Sequence, residues 1–207
     1  MRSFPLTVFV AALAIGAPAM AQDEAALPGD EAPAIALTGY TAFERGDGIL
    51  SLSLGVAIPL GFYNPGEAVF EAANSTPGFA FSLSYAGFLN EKWALAGDLA
   101  GSFIGTVSDD RLFIAPLALR FIRAFPIGQF VIMPTAGAGM AISAVGDYKH
   151  VDFLFKAGSS FLWKASPDMS YGLNVFGNVI PQIMSDYPEN SRVGFFLETT
   201  LSVSYHL

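Results

Sequence analysis

Beginning around Leu50, apolar side chains alternate with small or polar ones at a period of two. That is the period of a β-strand, whose successive side chains leave opposite faces. Leu50, Leu52, Leu54, Val56, Ile58 and Leu60 fall on one face, and Ser51, Ser53, Gly55, Ala57 and Pro59 on the other. The pattern returns in Phe79, Phe81, Leu83 and Tyr85, in Trp93, Leu95, Leu99 and Phe103, and in Phe113, Ala115, Leu117, Leu119 and Phe121. It continues in Phe130, Ile132, Ala136, Ala138, Met140 and Ile142, then in Phe153, Phe155, Phe161 and Trp163. Tyr171, Leu173, Val175 and Val179, and finally Val193, Phe195, Leu197, Leu201, Val203, Tyr205 and Leu207, bring the alternating segments to eight.

Stretches 48–66, 72–90 and 169–185 carry no charge, which raises a helical membrane protein as the competitor. A spanning helix needs about 20 predominantly apolar residues. These stretches are interrupted by Gly, Ser, Asn and Pro, and the most helix-like one, 130–145, contains Pro134, Gly137 and Gly139. Each alternating segment is instead long enough to cross as a tilted strand of about 9–11 residues. Lipid offers an open sheet edge no hydrogen-bond partner, so such strands must close on themselves. The connectors alternate too: 90–92, 124–129 and 164–168 are short, whereas 61–77, 106–111, 144–152 and 180–191 are mostly longer and polar. The expectation is an all-β fold, a transmembrane antiparallel up-and-down β-barrel of eight strands. A ten-stranded barrel recruiting 35–43 and part of the first long loop stays open.

Composition agrees. The chain of 207 residues is 53% hydrophobic and only 14% charged, against about 25% charged in a soluble domain. A net charge of -8 excludes a nucleic-acid binder, since phosphate neutralisation needs Lys and Arg. The absence of cysteine excludes disulfides, zinc–thiolate sites, Fe–S clusters and thiol catalysis. Residues 1–21 read as a secretory signal peptide, with Arg2, an apolar run over 6–17, and Ala19, Met20 and Ala21 before Gln22. Residues 22–47 read as an acidic periplasmic tail, partly disordered, and 48–207 as the barrel.

The region 48–207 resembles the small eight-stranded outer-membrane proteins of diderm bacteria, the OmpX, OmpW and OmpA-barrel types. The resemblance rests on the strand architecture and on the last strand, with Gly194, alternating Leu201 and Val203, Tyr205 third from the end, and Leu207. It implies that these residues form the assembly signal read by the outer-membrane barrel-assembly machinery, and that the mature chain is integral to the bacterial outer membrane. The family usually ends in Phe, where this chain has Leu207.

On the outward face Trp93, Phe121, Phe130, Trp163, Tyr171 and Tyr205 lie beside the short turns or the C-terminus, as a periplasmic aromatic girdle would. Phe62, Phe79, Phe113, Phe153 and Phe195 make a looser girdle near the long loops. The inward face is small and weakly polar, with Ser82, Ser84, Thr135, Gly137, Asn174, Asn178 and Thr200 among its members. Four charges join it by parity: Asp98, Arg120, Lys156 and Glu198. Asp98 and Arg120 are equidistant from residue 109, so a regular hairpin sets them directly opposite each other. Lys156 and Glu198 are placed to meet across a narrow lumen. A lone buried charge costs several kcal/mol, so a lumenal ion-pair network is expected, either as a structural plug or as a gated path.

The outward loops carry Glu67, Glu71, Asp109, Asp110, Asp147, Asp152, Asp186 and Glu189 against Arg111 and Lys149. Loops 61–77 and 180–191 are the longest and are candidate sites for a surface ligand. Of the two histidines, His206 is at the periplasmic end, and His150 lies in the third long loop beside Asp147 and Asp152, with Ser143 and Ser191 as candidate neighbours. No catalytic residue, metal site or cofactor is assigned. The expected role is non-enzymatic: an outer-membrane barrel in contact with lipid, acting in envelope structure or surface interaction. A narrow channel for small ionic or apolar solutes is the first alternative, and a lipid-modifying enzyme using His150 the second.

Overall fold

The computed structural model describes residues 43–106, 111–146, 148–183 and 191–207. Residues 1–42, which hold the expected signal peptide and most of the expected tail, and Asp109, Asp110, Asp147, Asp186 and Glu189 of the expected outward loops lie outside the described residues. Among the described residues ten strands follow in order: β1 Gly48–Asn64, β2 Val69–Ala72, β3 Ser75–Phe88, β4 Trp93–Thr106, β5 Arg111–Arg123, β6 Phe125–Ile127, β7 Phe130–Val145, β8 Tyr148–Lys164, β9 Met169–Gln182 and β10 Arg192–His206. Eight of them form the wall. The order is β1-β3-β4-β5-β7-β8-β9-β10, all neighbours antiparallel, and β10 returns to β1 to close the cylinder. The two short strands are accessories: β2 lies on the far end of β1, and β6 folds back on β7. The wall is therefore eight-stranded, and the open alternative of ten is not adopted. Among the described residues no helix is long and apolar enough to cross a membrane.

The alternation becomes two faces. Leu50, Leu52, Leu54 and Val56 of β1 are exposed, while Ser53 and Ala57 of the alternate set are buried. The same holds on β5, where Leu117, Leu119 and Phe121 are exposed and Ala118, Arg120 and Ile122 are buried. An exterior of exposed Leu, Phe, Val and Tyr around a filled interior suits lipid as the outer solvent.

Four local features depart from the regular reading. On β1, Pro59 pairs with Phe196 and Gly61 with Phe195, so Leu60 is an extra residue in a β-bulge. A bulge inverts the parity beyond it. Phe62, expected in the outward girdle, therefore turns inward and meets Phe196 edge-on, with ring centroids 6.1 Å apart. The third long loop shrinks to a tight turn around Gly146, whose φ of 55° suits a residue without a Cβ. As a consequence His150 and Asp152 sit on β8 rather than in a loop, and Asp152 is buried. The first long loop is largely the β1–β2 hairpin, and Glu71 on β2 faces Arg192 at 3.8 Å. Finally, the inward face is less small than expected. It contains Ile49, Phe88, Ile122, Val131, Met133 and Leu162 toward the short turns, and Ile104, Ile114, Leu154, Ile180 and Phe196 toward the long loops.

Candidate functional site

The four inward charges lie in the layer between these two apolar clusters. β4 and β5 pair about residue 108, so Asp98 faces Ala118 and Arg120 faces Ala96. The expected directly opposite pairing of Asp98 and Arg120 is thus corrected to a diagonal one, two residues apart along the strand. A diagonal neighbour is within reach of a long side chain. Arg120 makes a two-pronged contact: Nε donates to Asp98 Oδ2 at 2.5 Å and Nη2 to Oδ1 at 2.6 Å. Such a fork matches guanidinium to carboxylate geometry. Its stem has room because residue 137 on β7 is glycine; a Cβ there would come within 2.8 Å of the Arg120 Cγ.

Lys156 on β8 connects the rest. Its Nζ lies 3.5 Å from Asp98 Oδ2, across the lumen, and 3.2 Å from Glu198 Oε2 on β10. Asn178, on the intervening β9, donates from Nδ2 to the same Glu198 oxygen at 3.3 Å. All four charged side chains are almost completely buried. Phe176 completes the cluster. The Arg120 guanidinium carbon lies 5.0 Å from its ring centroid and Lys156 Nζ 4.5 Å, so one ring faces both cations. Two carboxylates and two cations leave the layer formally neutral, as a low-dielectric site requires.

A band of hydroxyls and amides lies beside this layer. Arg120 Nη1 donates to Thr135 Oγ1 at 3.4 Å, and Thr135 Oγ1 donates to the Phe121 carbonyl at 3.0 Å. Asn174 Nδ2 donates to Ser53 Oγ and Thr200 Oγ1 at 3.3 and 3.2 Å. Two cavities flank the ion cluster. One of about 30 Å³ adjoins Asp98, Arg120 and Asn174; one of about 20 Å³ adjoins Asn178 and Glu198. Each has space for a water or two and nothing larger. Glu198 Oε1 and Asn178 Oδ1, both without a partner among the described residues, are polar atoms such a water would satisfy.

The short-turn end is stoppered. Phe43, just before β1, is buried in the lower apolar cluster and stacks on Phe88, with centroids 4.0 Å apart. Lys164 Nζ lies 4.1 Å from its ring centroid. At the other end Phe62, Leu112, Ile114, Ser143, Val145, Ile180 and Phe196 line a mouth cavity of about 200 Å³.

On the exterior, Trp93 stacks on Phe121 at 4.9 Å and Trp163 lies against Tyr171 at 6.1 Å. Phe130, Tyr171 and Tyr205 are exposed at the same end of the barrel, and Trp93 is half-buried. Leu201, Val203 and Tyr205 are exposed along β10 and Leu207 just after it, while Gly194 is buried opposite Phe62. The described parts of loops 61–77 and 180–191 are mainly strand, and 184–190 fall outside the described residues. His150 Nδ1 lies 2.7 Å from Asp152 Oδ1, and Ser143 is its cross-strand partner. No hydrogen bond joins Ser143 to His150 among the described residues, so a nucleophile–base contact is not made. Among the described residues no group of three or more His, Asp or Glu is arranged to hold a metal.

Phe176, Phe43 and the two apolar clusters were not singled out in the sequence. The parity that placed Val175 outward also placed Phe176 inward, so that residue was within reach. Phe43 ends the apolar segment 35–43, but no period-two alternation there marks it as an inward residue.

A protein-family model matches residues 30–205. No curated protein sequence matches the chain. Among solved structures the chain is similar to Neisserial surface protein A, with a TM-score of 0.59 at 11% identity, covering 77% of this chain and 96% of that one. It is also similar to the outer membrane protein OprG from Pseudomonas aeruginosa, with a TM-score of 0.49 at 12% identity, covering 79% and 97%. The outer membrane protease OmpT from Escherichia coli matches with a TM-score of 0.42 at 8% identity, covering 81% and 99%.

Proposed function

We propose that this chain, which belongs to the family matched over residues 30–205 and has the fold of the small outer-membrane β-barrels, is a closed, non-enzymatic barrel of the bacterial outer membrane that acts through its wall and outward loops rather than through its lumen. In this reading residues 1–21 are removed on export and the mature chain is integral to the membrane. The short turns face the periplasm and the long loops face outward, which is the usual polarity of such barrels.

One observation carries the reading: below the mouth cavity the lumen is filled, with no described space larger than a water or two. An apolar layer containing Phe43 is followed by a neutral, mutually paired set of Asp98, Arg120, Lys156 and Glu198, and then by a second apolar layer. A permeating ion would have to displace well-packed Leu, Ile and Phe side chains twice and break a buried ion pair between them. An eight-stranded barrel is only wide enough to be filled by its own side chains. The charged layer then holds β4, β5, β8 and β10 in register, as a polar lock in an otherwise apolar interior. The acidic residues of the long loops would supply a wet, negatively charged rim suited to a cationic or cation-bridged surface partner.

Reconstitution into planar bilayers tests this. The expected trace is flat at neutral pH, with no unitary conductance steps. Reproducible steps from the wild-type protein, altered by Arg120→Ala, would reassign the lumen as a channel.

A further inference from the structure

Arg123 and Lys92 are cations that the lumenal network does not use. Arg123 ends β5 on the outward face, one outward step beyond Phe121 of the aromatic row. Lys92 lies in the turn between β3 and β4. Together with Glu91, Phe125, Pro126 and Ile127 they line a cavity of about 390 Å³ on the short-turn side. We propose that this cavity binds the headgroup of a membrane glycerophospholipid of the ethanolamine type, with the phosphodiester held by Arg123 and Lys92 and the ammonium by Glu91.

Depth is the first argument. Trp93 and Phe121 stack at the same end of the same two strands, and aromatic rows mark the level of lipid headgroups. A cation just beyond that row meets phosphate rather than hydrocarbon. The second argument is orientation. The Arg123 guanidinium carbon lies 5.2 Å from the Trp93 ring centroid and 4.8 Å from that of Phe125. Held against two rings, the guanidinium keeps N–H edges to donate to an anion. Among the described residues neither Arg123 nor Lys92 forms an ion pair within 4.0 Å.

The third argument is that the walls are fixed before any ligand arrives. Ala124 N donates to the Lys92 carbonyl at 2.7 Å, joining the two turns. Asn90 Oδ1 accepts from the backbone N–H groups of Lys92 and Trp93 at 2.9 and 3.0 Å. The opposite wall is the β6–β7 hairpin, turned by Gly128 at a φ of 60°. Phe125 and Ile127 on it are exposed and continue past Arg123 toward the short-turn end, so they wall the cavity on its far side while the acyl chains of a bound lipid would run back along Phe121 and Leu119. Charge then selects the headgroup: two cations and one carboxylate in one cavity match a phosphodiester joined to a primary ammonium, which donates three hydrogen bonds.

The inference rests on the membrane placement proposed above but not on the closed lumen, so bilayer conductance and lipid binding fail independently. The test is native mass spectrometry of the full chain released from detergent with added dioleoyl phosphatidylethanolamine. Wild-type protein is expected to retain one lipid, with phosphatidylcholine retained less because its quaternary ammonium has no N–H. Arg123→Gln should weaken retention about fivefold and the Lys92→Gln/Arg123→Gln pair about 25-fold, from roughly fivefold per juxtamembrane cation. Arg123→Lys should recover part of the loss and guard against a folding defect in the glutamine variant. Arg192→Gln, a strand-end change elsewhere, should bind as wild type does. Retention unaffected by loss of Arg123, no retention by wild type, or displacement by equimolar inorganic phosphate would each overturn the proposal, the last by exposing a simple anion site.

Discussion

The two faces of β5 are built from alternate residues of one strand, yet they obey different rules. Outward, Leu117, Leu119 and Phe121 are all large and apolar, with no change of chemistry along the strand's middle. Inward, Ile114, Ala118, Arg120 and Ile122 change from branched to small to charged and back within the same length. In the proposed membrane setting the outward set meets fluid hydrocarbon, which conforms to any apolar shape. The inward set meets other side chains, which must be matched in size, charge and hydrogen bonding at each height. One face is therefore specified only by polarity, the other by partner.

Three substitutions probe that contrast. Asp98→Ala has the largest expected effect. It strips Arg120 of both prongs and Lys156 of one of its two carboxylates. Breaking a buried pair by removing one partner costs about 3–5 kcal/mol, to be read as a lower unfolding free energy in denaturant titrations in lipid vesicles. A loss below about 1 kcal/mol would mean that the inner face is not specified by partner. Leu119→Arg puts a charge into the lipid-facing middle of β5, where it should cost about 2–4 kcal/mol. If it cost nothing, the outward face would not be in contact with hydrocarbon. Leu119→Val should stay within about 0.5 kcal/mol in the same titration, because lipid tails are as apolar as the leucine they replace; a cost of several kcal/mol would reveal a fixed partner on the outside.

The same contrast explains what could be read before the structure. Parity is a local property, so the outward residues Leu50 through Val56 and the inward Lys156 and Glu198 follow from counting by two. Height is not local. It depends on the register between strands and on the tilt needed to close the cylinder. Counting within one hairpin therefore sets Asp98 opposite Arg120, whereas its partner is Ala118, and the single extra residue Leu60 turns Phe62 from the outer girdle to the inner mouth. By residue count the lumen is small and weakly polar, since serines and glycines recur on the inward face of most strands. Its Ile, Leu and Phe residues had the correct parity, but only stacking in layers reveals them as two seals. Phe43 precedes the alternation altogether. Its burial depends on the ring of Phe88, which is distant in sequence.

Each wall strand but one pair meets a neighbour in the chain across a turn or loop. The exception joins β1 to β10, where Ser51 and Ser204 share a hydrogen bond at 2.7 Å across 153 positions. Assembly therefore has a last act that the rest of the chain can only wait for. Until β10 docks, β1 presents one raw edge and the growing sheet another, and unpaired edges invite the wrong partner. Time, rather than stability, is the scarce quantity at this seam: a chain delayed there would be lost to aggregation even though its finished barrel has no edge left to offer.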